Sequence, residues 1–479
     1  MSHVVVVGAG IGGLTAAYFA IKAGHSVTVL EASSRVGGAV QFQVVETSEG
    51  PLGADVGAEA YASRSRLVEE LMEDLGLANR LVSPNPAGSW LYLPEIGAVP
   101  APKLGMWGIP GDPHAAEVVA ALGPEAAARA AQELDLPMDT WARRRAAGES
   151  ITVGELVADR FGPTVLERLV APVVSGVHSA DPYGIDIDTI APGLIEKSIE
   201  YGSVAKAIAA LRAAAPPGAA VKSLRGGMQK LVDALTVYVQ THGQLRLHSN
   251  VVALDARART VHVEYGDLVQ ADHIVLALDA PTAHDVVSTI TPFERPALLE
   301  RPDYGAGVGL VMLALDSLAL DAHPRGTGML VSPSVTDVVA KAATHVTAKW
   351  GWARDVVTRL SQHRHIVRLS YGRITDPSDG SAPGYATPED ALSDIAFTDL
   401  ATLFDLPEQH VLDNIVGVDV ARWRAAMPLT TPQNVQRINA VRQAVEHFDW
   451  LHVTGAWFAG TGIAAITQHS SALSINRLQ

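Results

Sequence analysis

Apolar positions fall into recurring arrangements along this chain, and their order predicts how it folds. His3 to Val7 form a continuous β-branched run, Leu14 to Ala23 carry apolar residues at helical spacing up to Gly24, and "HSVTVLE" (25–31) is strand-like again. An uninterrupted apolar strand marks a parallel sheet covered on both faces, so the opening reads as a βαβ unit. Strand-like stretches return in "LRLHSNVVALDA" and "TVHVEYGDLVQADHIVLALDAP", after the helix-like "RGGMQKLVDALTVYVQ". Near the end, "LHVTGAWFAGTGIAAITQHSSAL" gives a short strand, a glycine turn and a helix. Residues 90–215 are rich in Pro, Ala and helix formers, whereas 285–410 alternate strand-like runs ("GVGLVMLALD", "HIVRLSYGR") with loops and one helix. The short low-complexity stretch "RAAAPPGAA" at 212–220 reads as a surface hinge or loop.

A chain of 479 residues exceeds the roughly 250 to 300 at which one core stops growing, so two domains are expected. A net charge of -15 argues against nucleic acid, whose phosphates demand clustered cations. The absence of cysteine excludes disulfides, thiolate metal sites, iron–sulfur clusters and thiol nucleophiles, so redox chemistry here needs a bound organic cofactor. No HExxH spacing occurs, and His363 and His365 in "SQHRH" read as a polar turn and not as metal ligands. The uncharged stretch Val4 to Ile21 is long enough to suggest a membrane span or signal peptide, but its glycines at 8, 10, 12 and 13 fit another pattern. We therefore expect a soluble cytoplasmic protein, with peripheral membrane contact left open.

That other pattern is "GAGIGG", placed between the first strand and the first helix. Gly8 permits a tight turn, Gly10 lets backbone approach a pyrophosphate held by the positive end of the helix, and Gly13 lets helix and strand pack closely. Glu31 arrives at the end of the second strand, where an acid accepts hydrogen bonds from ribose hydroxyls. Alone the glycines would serve NAD or FAD. The continuation "EASSRVGGAV" adds Arg35, Gly37 and Gly38 and resembles the FAD fingerprint of the amine oxidase and phytoene desaturase superfamily, and "GADVGAEAY" (53–61) resembles its next flavin-contacting turn. Ile11, Gly12, Ala32, Gly57 and Ala58 join the expected FAD contacts on that basis. Val251 or Val252 is expected to meet adenine through backbone groups, and Gly455, Gly462 and Ile463 to bring a helix N-terminus to the isoalloxazine. The expected fold class is α/β, α+β overall: a discontinuous Rossmann-like FAD-binding domain (1–89, 216–284, 411–479) with an inserted substrate domain, mainly helical over 90–215 and sheet over 285–410.

Several further segments resemble the protoporphyrinogen/coproporphyrinogen III oxidase family nearly end to end. They are "ESITVGELVADRFGPTVLERLVAPVVSGVHSADP" (149–182), "YGSVAKAIAAL", "SLRGGMQKLVDAL", "THVTAKW" (344–350) and "ARWRAAMP" (421–428), the last of which adds Trp423 to the cofactor contacts. The resemblance implies oxidation of a porphyrinogen to a porphyrin in haem biosynthesis, six electrons leaving in three steps to FAD and then to dioxygen, with hydrogen peroxide released. Coproporphyrinogen III is the expected substrate. Protoporphyrinogen IX, and a flavin amine oxidase acting on amines, stay open as alternatives, as does contact with a ferrochelatase. The loop expected at Gly176, Val177 and His178 would face the macrocycle, with His178 assisting proton loss. Lys349, Arg368 and Lys103 are candidates for holding carboxylate arms, and Leu310, Met312, Trp350 and Tyr371 for apolar walls. Three departures stand out: His178 where the family often has Tyr, "LTTPQNVQRI" after Pro428, and a missing glycine in "ITQHSSAL".

Overall fold

The computed structural model describes residues 2–477 apart from 64, 215–219, 292, 293, 295, 297, 299, 378–380, 426 and 430. Most of the expected hinge at 212–220 thus lies outside the described residues, and 212–214 finish the helix Val204–Ala214.

Strand His3–Val7 sits at the centre of a five-stranded parallel sheet, flanked by Ser26–Leu30 and Gln244–Arg246 on one side and by His273–Leu276 and Leu451–Val453 on the other. Numbered along the chain, the order is 3-2-1-4-5, that of the dinucleotide-binding fold. Such sheets bind ligands beyond the carboxyl ends of the strands, where the strand order reverses, which here is beside His3–Val7. Its Val4, Val5, Val6 and Val7 are 0–3% exposed because helices cover one face and an antiparallel ribbon and two helices cover the other.

The second sheet has seven strands in the order Ile415–Trp423, Val308–Asp316, Arg364–Tyr371, Ala342–His345, Gly328–Val331, Trp90–Leu93 and Gly97–Pro100. The sequence pattern groups Ile415–Trp423 with the closing nucleotide-binding segment, yet this strand pairs along its length with Val308–Asp316. Only the chain beyond Trp423 returns to the parallel sheet. Among the described residues, the stretch 285–410 also holds three whole α-helices, not one: Val346–Lys349, Gly351–Val357 and Glu389–Phe404, besides the end of Ala280–Ser288 and the start of Glu408–Asn414. The first two are too short to display a helical period in sequence.

Helices between Ala116 and Ala214 form a separate apolar core against one edge of this sheet. Its polar anchor is a buried ion pair, Arg160 to Glu133 at 2.6 Å, with the side chains 1% and 0% exposed. Glu133 also accepts from the Ser203 hydroxyl and from the amides of Val204 and Ala205, so one carboxylate caps the helix Val204–Ala214. Arg160 spends its remaining donors on the carbonyls of Pro137, Leu136 and Glu133. Breaking a fully satisfied buried pair leaves an uncompensated charge, so Arg160→Met is expected to cost about 3–5 kcal/mol. A urea midpoint within error of the parent would contradict this.

Candidate functional site

Separate stretches of chain converge at the carboxyl end of the parallel sheet, and backbone does most of the joining. A Cβ on Gly13 would lie 1.8 Å from Gly8 O, so the helix Ile11–Lys22 can lie this close to the strand only through glycine. Gly37 N–H donates to Ala9 O at 2.8 Å, and Gly10 and Gly37 pair as a parallel bridge. On the other side of Gly12, Ile466 and Gly455 stand 3.3 and 3.5 Å from where a Cβ would be, and Ser470 Oγ donates to Gly12 O at 3.3 Å. The first and last segments expected at the cofactor are thus in direct contact.

Gly10 differs from its neighbours. The nearest atom to a Cβ built there is Gly38 Cα at 3.8 Å, and Gly462 has nothing within 4 Å. Both are N-caps without a side-chain cap, of helices Ile11–Lys22 and Ile463–Ser471. Two uncapped helix N-termini therefore face space that the fold leaves open, which is where anionic or electron-rich groups are stabilised. Glu31 accepts from the amides of Ala9 (2.8 Å) and Ser33 (2.9 Å), and its carbonyl accepts from Ser249 N–H, which draws 249–252 alongside it and the adjoining Ala32. A bulge between Val251 and Ala253 puts Val252 out of register and 45% exposed, while Val251 is buried. This set fits FAD: the Gly10 turn for the pyrophosphate, Glu31 for the ribose, the 251–252 backbone for adenine and the Gly462 helix for the isoalloxazine.

A second group locks the flavin-side turn. A Cβ on Gly57 would sit 2.0 Å from Ala39 O, and Ala58 N–H donates to that same oxygen. Trp423 Nε1 donates to Val56 O at 2.7 Å, and Arg35, bonded to Gly38 O, places its guanidinium 5.3 Å from the Trp423 ring. Lys349 and Arg368 are brought together here, and both are already paired. Lys349 Nζ bonds Glu59, and Arg368 bonds both Glu59 (3.3 Å) and Asp55 O. Burial would raise the Glu59 carboxyl, but the two cations outweigh it and hold it at about 2. Burial pushes neighbouring Asp55 up to about 7, against the amide of Met228 and with the repulsion of Glu59. The two cations expected to hold substrate carboxylates are thus spent on Glu59. Lys103 stands exposed on a loop, its carbonyl accepting from Arg212, and lines neither of the cavities beside His178 and Ser179.

The larger of these cavities, about 620 Å³, lies between the end of helix Ala171–His178 and the C-terminal turn. Its walls include His178, Tyr183 and Asp186 on one side and Arg442, Trp457 and Thr461 on the other. The smaller, of about 300 Å³, borders Ser179, Gly305 and Thr375, and the two share Gly184, Met427, Pro428 and Leu429. The expected loop at Gly176–His178 is the end of a helix. Gly176 faces the large sheet, where a Cβ would come 2.7 Å from Leu330 Cδ2, so close packing explains the glycine. Val177 is 46% exposed and lines neither cavity. His178 does line the larger one. Its ring lies 4.7 Å from that of Trp107, its Nε2 is buried with no partner among the described residues, and burial lowers its pKa. Leu310, Met312, Trp350 and Tyr371 are core side chains, 0–7% exposed, and line neither of these two cavities.

Arg442 carries no motif that would single it out in the sequence. It lies on helix Pro432–Glu446, donates to the carbonyls of Trp457 (3.1 Å) and Phe458 (2.7 Å), and keeps a buried Nε with no partner among the described residues. It is the one Arg or Lys among the described residues lining the larger cavity. The available signal is the departure after Pro428: Leu429, Val435, Ile438, Asn439 and Arg442, all from that stretch and its helix, wall the cavity. His365, expected in a turn, is buried in strand Arg364–Tyr371 and bonds Asp321 and His345, while His363 bonds Asp321 from the turn. Among the described residues no cluster could hold a metal ion.

The sequence matches the family of flavin-containing amine oxidoreductases over residues 11–337. It is 31% identical over 466 residues to the coproporphyrinogen III oxidase of Mycobacterium tuberculosis, covering 96% of this chain and 94% of that one. It is 25% identical to the coproporphyrinogen III oxidase of Bacillus subtilis, over 98% of this chain and 97% of that one. A solved structure from Exiguobacterium, provisionally named a protoporphyrinogen oxidase, shares the fold with a TM-score of 0.79 at 22% identity, over 100% and 99% of the two chains.

Gly10 has room for a side chain and Gly13 has none. Gly10→Val is therefore expected to lose the flavin absorbance of the purified protein while its thermal midpoint stays near that of the flavin-free parent, and Gly13→Val to lose the fold as well. A Gly10→Val protein that retains stoichiometric FAD would remove this turn from the cofactor site.

Proposed function

The chain belongs to the flavin-containing amine oxidoreductase family and, within it, to the coproporphyrinogen III oxidases, and from that premise we propose that it oxidises coproporphyrinogen III to coproporphyrin III in the cavity beside His178. It is an FAD-dependent oxidoreductase. The observation that carries the reading is the position of the larger cavity, walled on one side by the helix ending at His178 and on the other by the turn Ala456 to Thr461 that leads into the Gly462 helix.

FAD, when bound, supplies the two-electron acceptor for each of the three steps, so the chain has to bind, orient and manage protons. Each step removes a hydride from a meso carbon together with a proton; over the three steps two of these protons leave pyrrole nitrogens and the third leaves the remaining meso carbon. The buried, unpartnered Nε2 of His178 is suited to take a pyrrole proton, because burial keeps the ring in its neutral, proton-accepting form. Arg442 holds one carboxylate arm at the cavity wall by a charge-assisted bond. Lys349 and Arg368, being paired with Glu59, support the flavin turn instead. The open space at the Gly462 helix lets its amides stabilise negative charge. Among the described residues no helix is long and apolar enough to cross a membrane. Dioxygen as final acceptor, a cytoplasmic setting and contact with a ferrochelatase remain expectations of the same reading.

Aerobic turnover followed by porphyrin fluorescence and peroxide release tests it. Coproporphyrinogen III is expected to be consumed faster than protoporphyrinogen IX, and primary amines not at all; amine oxidation without porphyrin formation would overturn the reading. Arg442→Gln is expected to raise KM about tenfold or more with a smaller change in kcat, as for loss of a bond to a charged group, whereas Lys349→Met leaves KM near the parent value; the reverse pattern would return the carboxylates to Lys349. The pKa of His178 is lowered, so the basic form persists on acidification below the usual histidine value, roughly 6.5. The parent should therefore show an acid limb in kcat/KM below that pH, and His178→Gln should lose both the limb and much of the rate. An unchanged limb would assign it to another group.

A further inference from the structure

A buried lysine stands behind the cavity wall with no carboxylate in hydrogen-bond contact among the described residues. Lys341 is 3% exposed, and its ammonium donates to Ser179 Oγ at 2.6 Å and to Gly372 O at 2.8 Å. Its backbone is fixed in the large sheet, the N–H donating to Ser370 O and the carbonyl accepting from Val331 N–H. Desolvation and nearby Arg373 push its pKa down to about 8, with Asp376 acting the other way. An apolar residue of similar length would fill this place without the cost of desolvating a charge. The charge therefore calls for a reason, and Ser179 offers one.

Ser179 closes helix Ala171–His178 in the left-handed region (φ 51°, ψ 33°), directly after His178. A non-glycine residue there is strained by about 1–3 kcal/mol and holds only where its surroundings over-determine it. Ser179 and Ala180 also wall the smaller cavity, and Gly176 places Lys341 O 3.6 Å from where its Cβ would be. One ammonium thus ties the end of the helix to the sheet.

We propose that Lys341 is a positioning residue for this reaction: by holding the Ser179 hydroxyl it keeps the left-handed turn closed, and through that turn it fixes the direction of the His178 imidazole and the adjoining wall of the smaller cavity. Lys341 lines neither cavity and acts only through Ser179. The inference rests on the reading that His178 faces the porphyrinogen.

The test compares the parent holoenzyme with Lys341→Met, Lys341→Arg, Ser179→Ala and the Lys341→Met/Ser179→Ala double variant. In an anaerobic stopped flow with coproporphyrinogen III, Lys341→Met is expected to slow flavin reduction about tenfold or more, the scale for a misplaced catalytic group. Reoxidation by dioxygen and the thermal midpoint should stay near the parent, and Lys341→Arg should restore part of the rate. Ser179→Ala should show a similar loss, and the double variant should be no slower than the worse single one, because both remove the same tether. NMR titration of the His178 imidazole supplies a readout that needs no substrate: in Lys341→Met its pKa should rise toward the ordinary histidine value as the turn opens to water. Parent-like reduction in Lys341→Met, additive losses in the double variant, or an unmoved His178 titration would each overturn the proposal. A parent enzyme that coproporphyrinogen III fails to reduce would refute the assigned substrate, while the titration would still decide whether Lys341 sets His178.

Discussion

The contact between Gly13 and Gly8 O governs the rest of this molecule. With 1.8 Å between that oxygen and the nearest place a Cβ could stand, only a glycine lets the first helix press against the first strand. That pressing aims the helix N-terminus at the end of the sheet and makes Gly12 a platform for the last segment of the chain, through Gly455, Ile466 and Ser470. Pieces separated by more than 400 residues along the chain (Ser470 and Gly12 stand 458 apart) are thereby brought to one cradle by backbone contact. Uncapped helix ends and open space at Gly10 and Gly462 are what remain for a ligand to fill.

Charge plays a different part. The cluster of Glu59 with Lys349 and Arg368, and the bond from Trp423 to Val56 O, fasten the turn at 55–59 to the seven-stranded sheet. A buried pair of this kind contributes little net stability against an apolar alternative but is costly to break from one side. Its value here is geometric, since it sets how the turn at 55–59, beside the parallel sheet, meets the seven-stranded sheet. Arg160 with Glu133 does the same for the helical module.

The cofactor half is legible in the sequence because its constraints are local. A β-branched run, glycines at fixed spacing and an acid at the next strand end are each dictated by backbone geometry within about thirty residues, the span of one βαβ unit. The substrate half is less legible because its constraints are long-range. That Lys349 and Arg368 meet on Glu59, that Gly176 faces Leu330, or that Arg442 reaches the cavity depends on which strands and helices become neighbours. The helix end at His178 reads as a loop in sequence because Gly176 and the following "HSADP" suggest a turn, whereas the π-helical segment Leu166–Val170 and the apolar run 169–174 carry the helix through to His178. Departure from the family pattern after Pro428 is visible in sequence, but only the fold shows that it forms the cavity wall.

Delivery of a porphyrinogen's electrons to FAD in the cavity beside His178 is tested most directly by an anaerobic titration. Adding coproporphyrinogen III to the FAD-loaded protein without oxygen should bleach the flavin, with three flavins reduced for each porphyrin formed. Retention of the oxidised flavin spectrum in the presence of excess porphyrinogen would contradict this chemistry.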